Sequence, residues 1–411
     1  MASFRRLATM ALLLLLAALV ATGCGRPAAP PEPVDLGEVS LGIHEYPPPS
    51  DYGRGKLEAV PSYDPSSTDP WQVDLRSYDL RTLDVSGRPD DLLQADFDTR
   101  TQWPASLPSP FDPAKIMELG VNPGLGVRSL HEQGITGRGV GVAIIDQALL
   151  VNHAEYADRL RYYEEVHCQD SFAQMHGPAV ASILVGKTAG VAPEADLYYI
   201  AETHGTYRNG GFDRDFTYLA QSIDRLLQAS ELLSAEGKIR VISISVGWDG
   251  GAPGKKAADA ALERARQAGI FVVTTNLVGT YGFRFHGLER APLSDPDDVS
   301  SYGAVLGWGY GGGGATLRDI LCVPMSSRTT AAPNGQNDYV FYRSGGWSWC
   351  VPYLAGLYAL ACQVAPDVTP DEFWATALET GTPIDLTAQE PGCRAVIVDP
   401  VKLIEALRGG K

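Results

Sequence analysis

After about residue 120, apolar residues in this chain fall into short continuous runs, separated by longer stretches of helical pattern. The runs predict buried strands. Strands that alternate with helices favour a parallel sheet, and runs without polar alternation are typical of strands buried on both faces. We therefore predict an α/β fold: a doubly wound, mostly parallel sheet with helices on both faces. The predicted strands are residues 140–145, 196–200, 240–246, 270–275 and 304–308, and the predicted helices are residues 177–186, 215–235, 255–268 and 349–364.

The last of these helices differs from the others because it is apolar almost all the way round. A helix of that kind is normally buried on every side. We therefore expect residues 349–364 to lie at the centre of the domain.

The first 121 residues show another pattern. Residues 25–75 are rich in proline, including Pro47, Pro48 and Pro49, which is typical of a semi-rigid tether. Residues 76–121 contain spaced leucines but too few alternating strands for an independent domain, so we expect an arm that packs on the main domain. The predicted divisions of the chain are residues 1–23, 24–75, 76–121 and 122–411.

The first 24 residues have the features of an export signal. Arg5 and Arg6 provide a positive region, and residues 11–21 consist only of Ala, Leu and Val. This run is shorter than the roughly 20 residues that span a bilayer. The segment ends in Ala21-Thr-Gly-Cys24, which resembles a bacterial lipoprotein cleavage site, although Leu is more usual than Ala21. We predict lipid attachment at Cys24; the alternative is an ordinary secretory signal in which Cys24 is incidental.

The net charge and the cysteine content of the chain limit the partners and the disulfides that we expect. The chain has 411 residues and a net charge of −16. A nucleic-acid-binding protein carries a basic patch or stripe, so we expect no nucleic acid as partner. Export would place the five cysteines after Cys24 where disulfides can form, and their odd number leaves at least one unpaired within the chain. We expect most of them to be small buried apolar residues.

Three residues suited to nucleophilic catalysis occur in order, each within a short motif. Asp146 closes the apolar run that begins at Val140, His176 opens His-Gly-Pro-Ala-Val-Ala-Ser, and Ser348 lies in Gly-Trp-Ser-Trp-Cys-Val-Pro. A serine hydroxyl is a poor nucleophile at neutral pH, so a neighbouring imidazole must take its proton. A carboxylate on the far side of the ring fixes the tautomer and stabilises the imidazolium. The carboxyl edge of a parallel sheet is where such residues can meet.

The order Asp, His, Ser and these motifs resemble the subtilisin-like serine peptidases (subtilases), from about residue 122 to residue 411. Gly190-Val-Ala-Pro193 is similar to the family's segment after the histidine helix, and Pro352 and the Ala-Gly pair that follows it match the pattern after the nucleophile. The resemblance implies a catalytic triad of Asp146, His176 and Ser348.

The resemblance also implies further site residues. Subtilases bind the oxyanion with the backbone N–H of the nucleophile and with an Asn side chain after a strand. Asn276, which follows the predicted strand at residues 270–275, corresponds to that Asn when a gap of about two residues is allowed. An Asn in this position is also a common turn former. The segment that resembles the strand lining the substrate is Ser245, Val246, Gly247 and Trp248.

Residues next to these motifs depart from the family pattern. Trp248 stands where a Gly is usual; it could shape the primary substrate pocket or pack under a loop, and both interpretations stay open. Ser348 is flanked by Trp347 and Trp349, where Thr and Met are usual. The two residues after Asp146 also differ. These departures affect the expected specificity and rate more than the type of reaction.

We therefore expect an exported, membrane-anchored serine endopeptidase that works through an acyl-enzyme, as a monomer, on protein or peptide substrates. The alternative is a non-catalytic binding lipoprotein with the subtilase fold. A cysteine peptidase using Cys350 or Cys168 has no matching motif, and an α/β-hydrolase would need a different order of residues.

The chemistry requires no cofactor. A structural calcium ion is an expectation from the resemblance, because subtilases often bind one. The candidate carboxylates are Asp295, Asp297 and Asp298, for which solvated loop charges are the alternative.

Overall fold

A five-stranded parallel sheet forms the centre of the structure, a computed structural model that describes residues 37–409 except residues 68, 70, 209–210, 249, 305–318 and 387–393. The middle strand is flanked on each side by two others, so the chain switches sides of the sheet there. Reacting groups collect at the carboxyl edge beside such a switch point. In spatial order the strands are β3 (Leu160–His167), β4 (Asp196–Glu202), β2 (Gly141–Asp146), β7 (Ile239–Ile244) and β8 (Phe271–Thr274).

Both faces of this sheet are buried. In β2, Val142 and Ile144 pack into one apolar core while Ala143 and Ile145 pack into another, as the two-residue period of a strand requires. The predicted α/β fold with a parallel sheet and helices on both faces is confirmed. The helices of the first face are α4 (His176–Val185) and α8 (Trp347–Val364), and those of the second are α5 (Thr217–Glu231) and α6 (Lys255–Gln267).

Helix α8 is the central helix that its sequence predicts. Every residue from 349 to 362 is buried. Gly356 allows the close packing: a Cβ there would lie 2.6 Å from the Cβ of Val191, so the helix can approach the segment after α4 only without a side chain. This contact fixes α8 against α4.

A second, mixed sheet lies beside the first and was not predicted as a sheet. Its three inner strands are parallel and its two outer strands are antiparallel to their neighbours. Of the predicted strand at residues 304–308, only Ala304 lies within the described residues. The order is β10 (Tyr302–Ala304), β9 (Arg284–Arg290), β11 (Ile320–Pro324), β15 (Ala395–Ile397) and β14 (Thr382–Ile384).

A further group of strands and helices lies around these two sheets. A hairpin follows β4 at the carboxyl edge of the central sheet, and the other helices are short or lie on the surface. They are β5 (Gly205–Arg208), β6 (Gly211–Arg214), α3 (Val127–Glu132), α7 (Leu277–Tyr281), α9 (Pro370–Thr380) and α10 (Pro400–Gly409).

Residues 71–121, here called the N-terminal lobe, have a small apolar core of their own. Its elements are α1 (Pro89–Leu92), β1 (Phe97–Asp98) and α2 (Pro113–Gly120), which adjoin β12 (Arg328–Ala331) and β13 (Tyr339–Tyr342) of the main domain. Phe97 and Phe111 lie in this core together with Phe341 from the main domain, and the rings of Phe97 and Phe341 are 5.2 Å apart. The lobe also extends a sheet of the main domain, because β1 pairs with β13.

The described part of the predicted tether, residues 37–75, contacts the main domain at several points. Ile43 forms a parallel bridge to Tyr163 on the outer edge of β3. The Ala173 N–H donates to the Pro48 carbonyl at 2.9 Å, so the proline run can pack because its carbonyls still accept hydrogen bonds. An open strand edge offers unpaired backbone groups, and this segment satisfies them.

The other predictions of local structure agree with the described residues to within a few positions. Cys168, Cys322, Cys350 and Cys362 are free thiols, and the last three are buried, as expected for small apolar residues. In the described part of the chain, no helix combines the length and apolar character needed to cross a bilayer. Cys24 and Cys393 lie outside the described residues.

Candidate active site

Asp146 and His176 form a hydrogen-bonded pair at the carboxyl edge of the central sheet. Asp146 is the last residue of β2 and His176 is the first residue of α4. The His176 Nδ1 lies 2.7 Å from Asp146 Oδ1, and the Gln147 backbone N–H donates to the same oxygen at 2.8 Å. The carboxylate is almost fully buried, with 4% of its side chain exposed, while the imidazole is half-buried. A buried acceptor on Nδ1 selects the tautomer whose Nε2 can accept a proton.

Gly177 explains why the histidine can reach the aspartate. A Cβ on Gly177 would lie 2.5 Å from the Gln147 carbonyl oxygen and 2.6 Å from the Tyr199 hydroxyl. Both distances are below van der Waals contact, so any side chain here would push α4 away from β2. The His-Gly motif is therefore a packing requirement of the site.

Ser348 lies in the first turn of α8. The turn begins after Gly346, whose φ of 63° is in the region that favours glycine. The N–H groups of a first helical turn lack partners within the helix, so they can bind negative charge. The ring of the next residue, Trp349, has its centroid 5.4 Å from that of His176, so the first turn of α8 contacts the histidine.

The Ser348 hydroxyl donates a hydrogen bond to the Ser245 carbonyl oxygen at 3.3 Å. Among the described residues, no hydrogen bond joins Ser348 and His176. Catalytic hydrogen bonds in enzymes without substrate are often long or misaligned and tighten only in the complex.

Ser245 contacts the candidate nucleophile directly, which sequence comparison did not predict. Pro352 has no N–H, so the Ser348 carbonyl four residues earlier lacks its helical donor. The Ser245 hydroxyl donates to this carbonyl at 3.0 Å and replaces the missing bond. Val246 follows, and its carbonyl accepts from the Thr275 N–H at 3.3 Å.

Gly247 permits the next close contact. A Cβ there would lie 2.7 Å from the Thr275 hydroxyl and 3.3 Å from the Asn276 Cβ. The segment of residues 245–247 thus joins Ser348 to the loop that carries Asn276.

Asn276 caps the short helix α7. Its Oδ1 accepts from the Gly279 backbone N–H at 3.2 Å, which corresponds to the turn-forming role weighed from the sequence. With the oxygen engaged, the side-chain Nδ2 is the group left to donate to another partner. The residue is exposed to solvent, so a substrate can reach it.

Trp248 is buried, although it lies in the loop that follows β7. Its indole N–H donates to Asp259 on α6 at 2.8 Å, and its ring packs 5.7 Å from Phe216. It also lines a cavity of about 340 Å³ together with Thr274 and Asn276. Trp248 thus packs against neighbouring side chains and also forms a wall of a cavity beside Asn276, and its role in substrate selection stays a prediction.

Comparison with known proteins identifies the family that this arrangement resembles. Residues 137–281 match Peptidase_S8, the subtilase family. The match supports the subtilase family for a segment that contains Asp146, His176 and Asn276 but not Ser348.

A curated relative points to the same family. The chain is 26% identical over 269 residues to the subtilisin-like protease PopC of Myxococcus xanthus (strain DK1622), with 59% of this chain covered. It spans 56% of the length of that relative. Together with the family match, this supports a subtilase-type protease.

Two solved structures are similar at low identity. The prenylagaramide maturation protease PagA is 16% identical, with 70% of this chain and 99% of that chain covered and a TM-score of 0.47. A protease from Pseudoalteromonas arctica PAMC 21717 is 19% identical, with 73% of this chain and 99% of that chain covered and a TM-score of 0.47.

A second histidine and carboxylate pair lies near Asp146 and was missed from the sequence. Glu202, the fully buried last residue of β4, is hydrogen-bonded to His204. Burial alone would lower the pKa of His204, but the adjacent Glu202 raises it above its ordinary value. The sequence feature that could have indicated this pair is the spacing Glu-x-His at the end of a predicted strand.

The acidic cluster considered for calcium is engaged in loop contacts. Asp297 accepts hydrogen bonds from Asn122 at 2.7 Å and from the Gly126 N–H at 2.8 Å. Asp295 and Asp298 accept from nearby backbone N–H groups. Among the residues that the structure describes, no group of three or more His, Cys, Asp or Glu side chains could hold a metal. Calcium binding stays a prediction from the resemblance.

Proposed function

We propose that this chain is an exported, membrane-anchored serine endopeptidase that cleaves peptide bonds through Asp146, His176 and Ser348. The observation that carries the proposal is the buried hydrogen bond between Asp146 and His176, beside the first turn of the helix that bears Ser348. The subtilase match over residues 137–281 supports the same chemistry.

Acylation is the first half of the reaction. The Ser348 hydroxyl leaves the Ser245 carbonyl and gives its proton to Nε2 of His176 as its oxygen attacks the substrate carbonyl carbon. The carbonyl π electrons move to oxygen. The C–N bond then breaks, and His176 returns the proton to the leaving amine. Asp146 stays ionised throughout and stabilises the imidazolium.

Deacylation repeats these steps with water. His176 takes a proton from the attacking water, and the proton passes to the Ser348 oxygen as the ester bond breaks. The products are a carboxylic acid and the free enzyme, so the proton count closes without a cofactor.

In this proposal, two donors bind the negative charge that develops on the carbonyl oxygen. One is the Ser348 backbone N–H in the first turn of α8, and the other is Nδ2 of Asn276. Fixed donors of this kind act on charge present only in the transition state, so they raise the rate of the chemical step.

The cavity beside Asn276 is the candidate pocket for a substrate side chain. Trp248 closes one wall, and charged side chains from α6, including Lys255 and Arg266, line it as well. Its volume of about 340 Å³ lies within the range of small-ligand pockets. Ser245, Val246 and Gly247 form the adjoining segment that would run beside the substrate backbone.

Hydrolysis of fluorogenic peptides tests the endopeptidase proposal. The protein should cleave within a peptide whose ends are both blocked. Ser348→Ala should abolish cleavage, while Cys350→Ala, at a buried position two residues further along the same helix, should retain it. Cleavage by both variants would assign the activity to another protein in the sample.

Membrane anchoring rests on the sequence of residues 1–24 alone. Cys24→Ala should move the protein from the membrane fraction to the soluble fraction or leave the signal uncleaved. Normal signal removal with unchanged membrane fractionation would overturn lipid attachment at Cys24.

A further inference from the structure

The indole of Trp349 packs directly against the histidine of the candidate triad. Its centroid is 5.4 Å from that of His176, with the planes inclined at 59°. The indole is 2% exposed, and its N–H has no hydrogen-bond partner among the described residues. Packing alone therefore decides where this indole lies.

Tyr342 is one of the residues that pack against this indole. Its ring meets the Trp349 indole edge-on, with the centroids 5.4 Å apart and the planes at 81°. Edge-on aromatic pairs of this kind stabilise a structure beyond the area that they bury. On another side, the backbone of Gly345 lies so close to the indole that a Cβ there would overlap it.

Tyr342 is in turn held by the N-terminal lobe. The Arg76 guanidinium lies 5.5 Å from the centre of the Tyr342 ring and donates to its hydroxyl at 3.4 Å. Asp74 fixes that guanidinium through two hydrogen bonds of 2.8 and 2.9 Å. The arginine side chain is 11% exposed, so it is not a freely moving surface group.

Strand β13 transmits the support of the lobe. Successive residues of a strand point to opposite faces. Phe341 points into the core of the lobe, and Tyr342 points into the core that contains α8. The lobe and the catalytic histidine are thus connected through continuous side-chain contacts.

We propose that Tyr342 and Trp349 are positioning residues for His176, with the ring of Tyr342 holding the indole of Trp349 in place. This rests on the proposed function, because the positioning matters only if His176 is the catalytic base.

A matched pair of variants tests this. Tyr342→Leu and Phe341→Leu remove similar volumes from neighbouring residues that are both 1% exposed, but only Tyr342 contacts Trp349. Tyr342→Phe keeps the ring and loses only the hydroxyl. If a Leu variant fails to fold, the corresponding pair of Met variants replaces it, since Met fills irregular space.

The first measurement does not depend on activity. Histidine is labelled with ¹³C at Cε1 in the full chain, and the His176 resonance is identified by its loss in His176→Ala. Tyr342→Leu should shift or broaden this resonance because Trp349 moves. Phe341→Leu and Tyr342→Phe should leave it in place. An unchanged His176 resonance in folded Tyr342→Leu, or an equal change in Phe341→Leu, would overturn the proposal.

The second measurement is the rate of Ser348 labelling by a fluorophosphonate. Tyr342→Leu should slow it at least about tenfold, since a displacement of about 1 Å can cost up to about a hundredfold, while Tyr342→Phe should stay near the wild-type rate. Equal rates in Tyr342→Leu and Phe341→Leu would overturn the positioning role. Absence of labelling in the wild type would refute the proposed function instead, and the histidine resonance would still decide the inference.

Discussion

Asp96 is a buried acid that should make the protein lose stability as the pH rises. It is 1% exposed, and it accepts the Arg343 backbone N–H at 2.7 Å, which ties the lobe to the chain after β13. Burial raises the pKa of Asp96 to about 7, although Arg343 and Arg76 act in the opposite direction. In the unfolded chain the pKa of an Asp is about 3.9.

The sign follows from proton linkage. Between about pH 4 and pH 7 the folded state keeps a proton on Asp96 that the unfolded state has lost, so stability falls by about 1.4 kcal/mol per pH unit. Across the whole interval the loss is about 4 kcal/mol. It is complete once the pH exceeds the folded pKa of about 7.

Asp96→Asn should remove this loss, because Asn is neutral at every pH and its oxygen can still accept from Arg343. We expect the variant to match the wild type near pH 4 and to exceed it by up to about 4 kcal/mol at pH 8. Equilibrium urea unfolding from pH 4 to pH 8 measures this, in a Ser348→Ala background that prevents self-digestion.

Asp98 provides the matched control two residues away. Both of its carboxylate oxygens accept hydrogen bonds, from the Ser77 N–H at 2.8 Å, the Ser77 hydroxyl, the Arg100 N–H at 3.0 Å and the Thr101 hydroxyl. Asp98→Asn would replace one carboxylate oxygen by an NH₂ group, which would face N–H and O–H donors and could accept from none of them. We therefore expect it to destabilise the protein at pH 8 by about 1–3 kcal/mol. If Asp96→Asn destabilises at pH 8 as Asp98→Asn does, the raised pKa of Asp96 is refuted.

The remaining predictions concern the chemistry. Asp146→Asn should lower kcat by about 10⁴ with the fold intact, because it favours the wrong imidazole tautomer; steady-state kinetics and thermal melting together measure this. Asn276→Ala should lower kcat by about 10²–10³ with little change in KM; less than about a tenfold effect would exclude Asn276 as the oxyanion donor. Trp248→Gly should change which side chains are accepted next to the cleaved bond, and an unchanged profile across a peptide library would leave Trp248 with a packing role alone.

The central part of the fold was predictable because its signals are local. The buried runs at residues 140–145 and 270–275 are strands in the structure at nearly the same positions, and the apolar helix that contains Trp349 is buried as expected. A parallel strand that is buried on both faces consists almost entirely of apolar residues, so an apolar run in the sequence marks the strand directly.

The second sheet and the packing of the proline-rich segment could not be predicted in the same way. Strand β11 is only five residues long and pairs with β9 and β15, which are distant in sequence. The proline-rich segment packs through backbone carbonyls, which no side-chain pattern reveals.

In the candidate site, too, features with a local sequence signal were predictable and features set by tertiary packing were not. The positions of Asp146 and His176 follow from strand and helix ends, and the structure brings these two together. The support of Ser348 by Ser245 depends on a helical donor that Pro352 lacks, and the contact of Tyr342 with Trp349 joins separate elements. Contacts of this kind are set by tertiary packing and have no signal within one segment.

Covalent labelling of Ser348 by a fluorophosphonate tests the central claim most directly. The reagent requires an activated serine, and peptide mass spectrometry shows which residue carries it. We predict one modified residue, Ser348, with labelling lost in Ser348→Ala and strongly slowed in His176→Ala. A folded wild-type protein that remains unlabelled, or that is labelled at another residue, would contradict the assignment of a serine peptidase and favour a binding protein with the same fold.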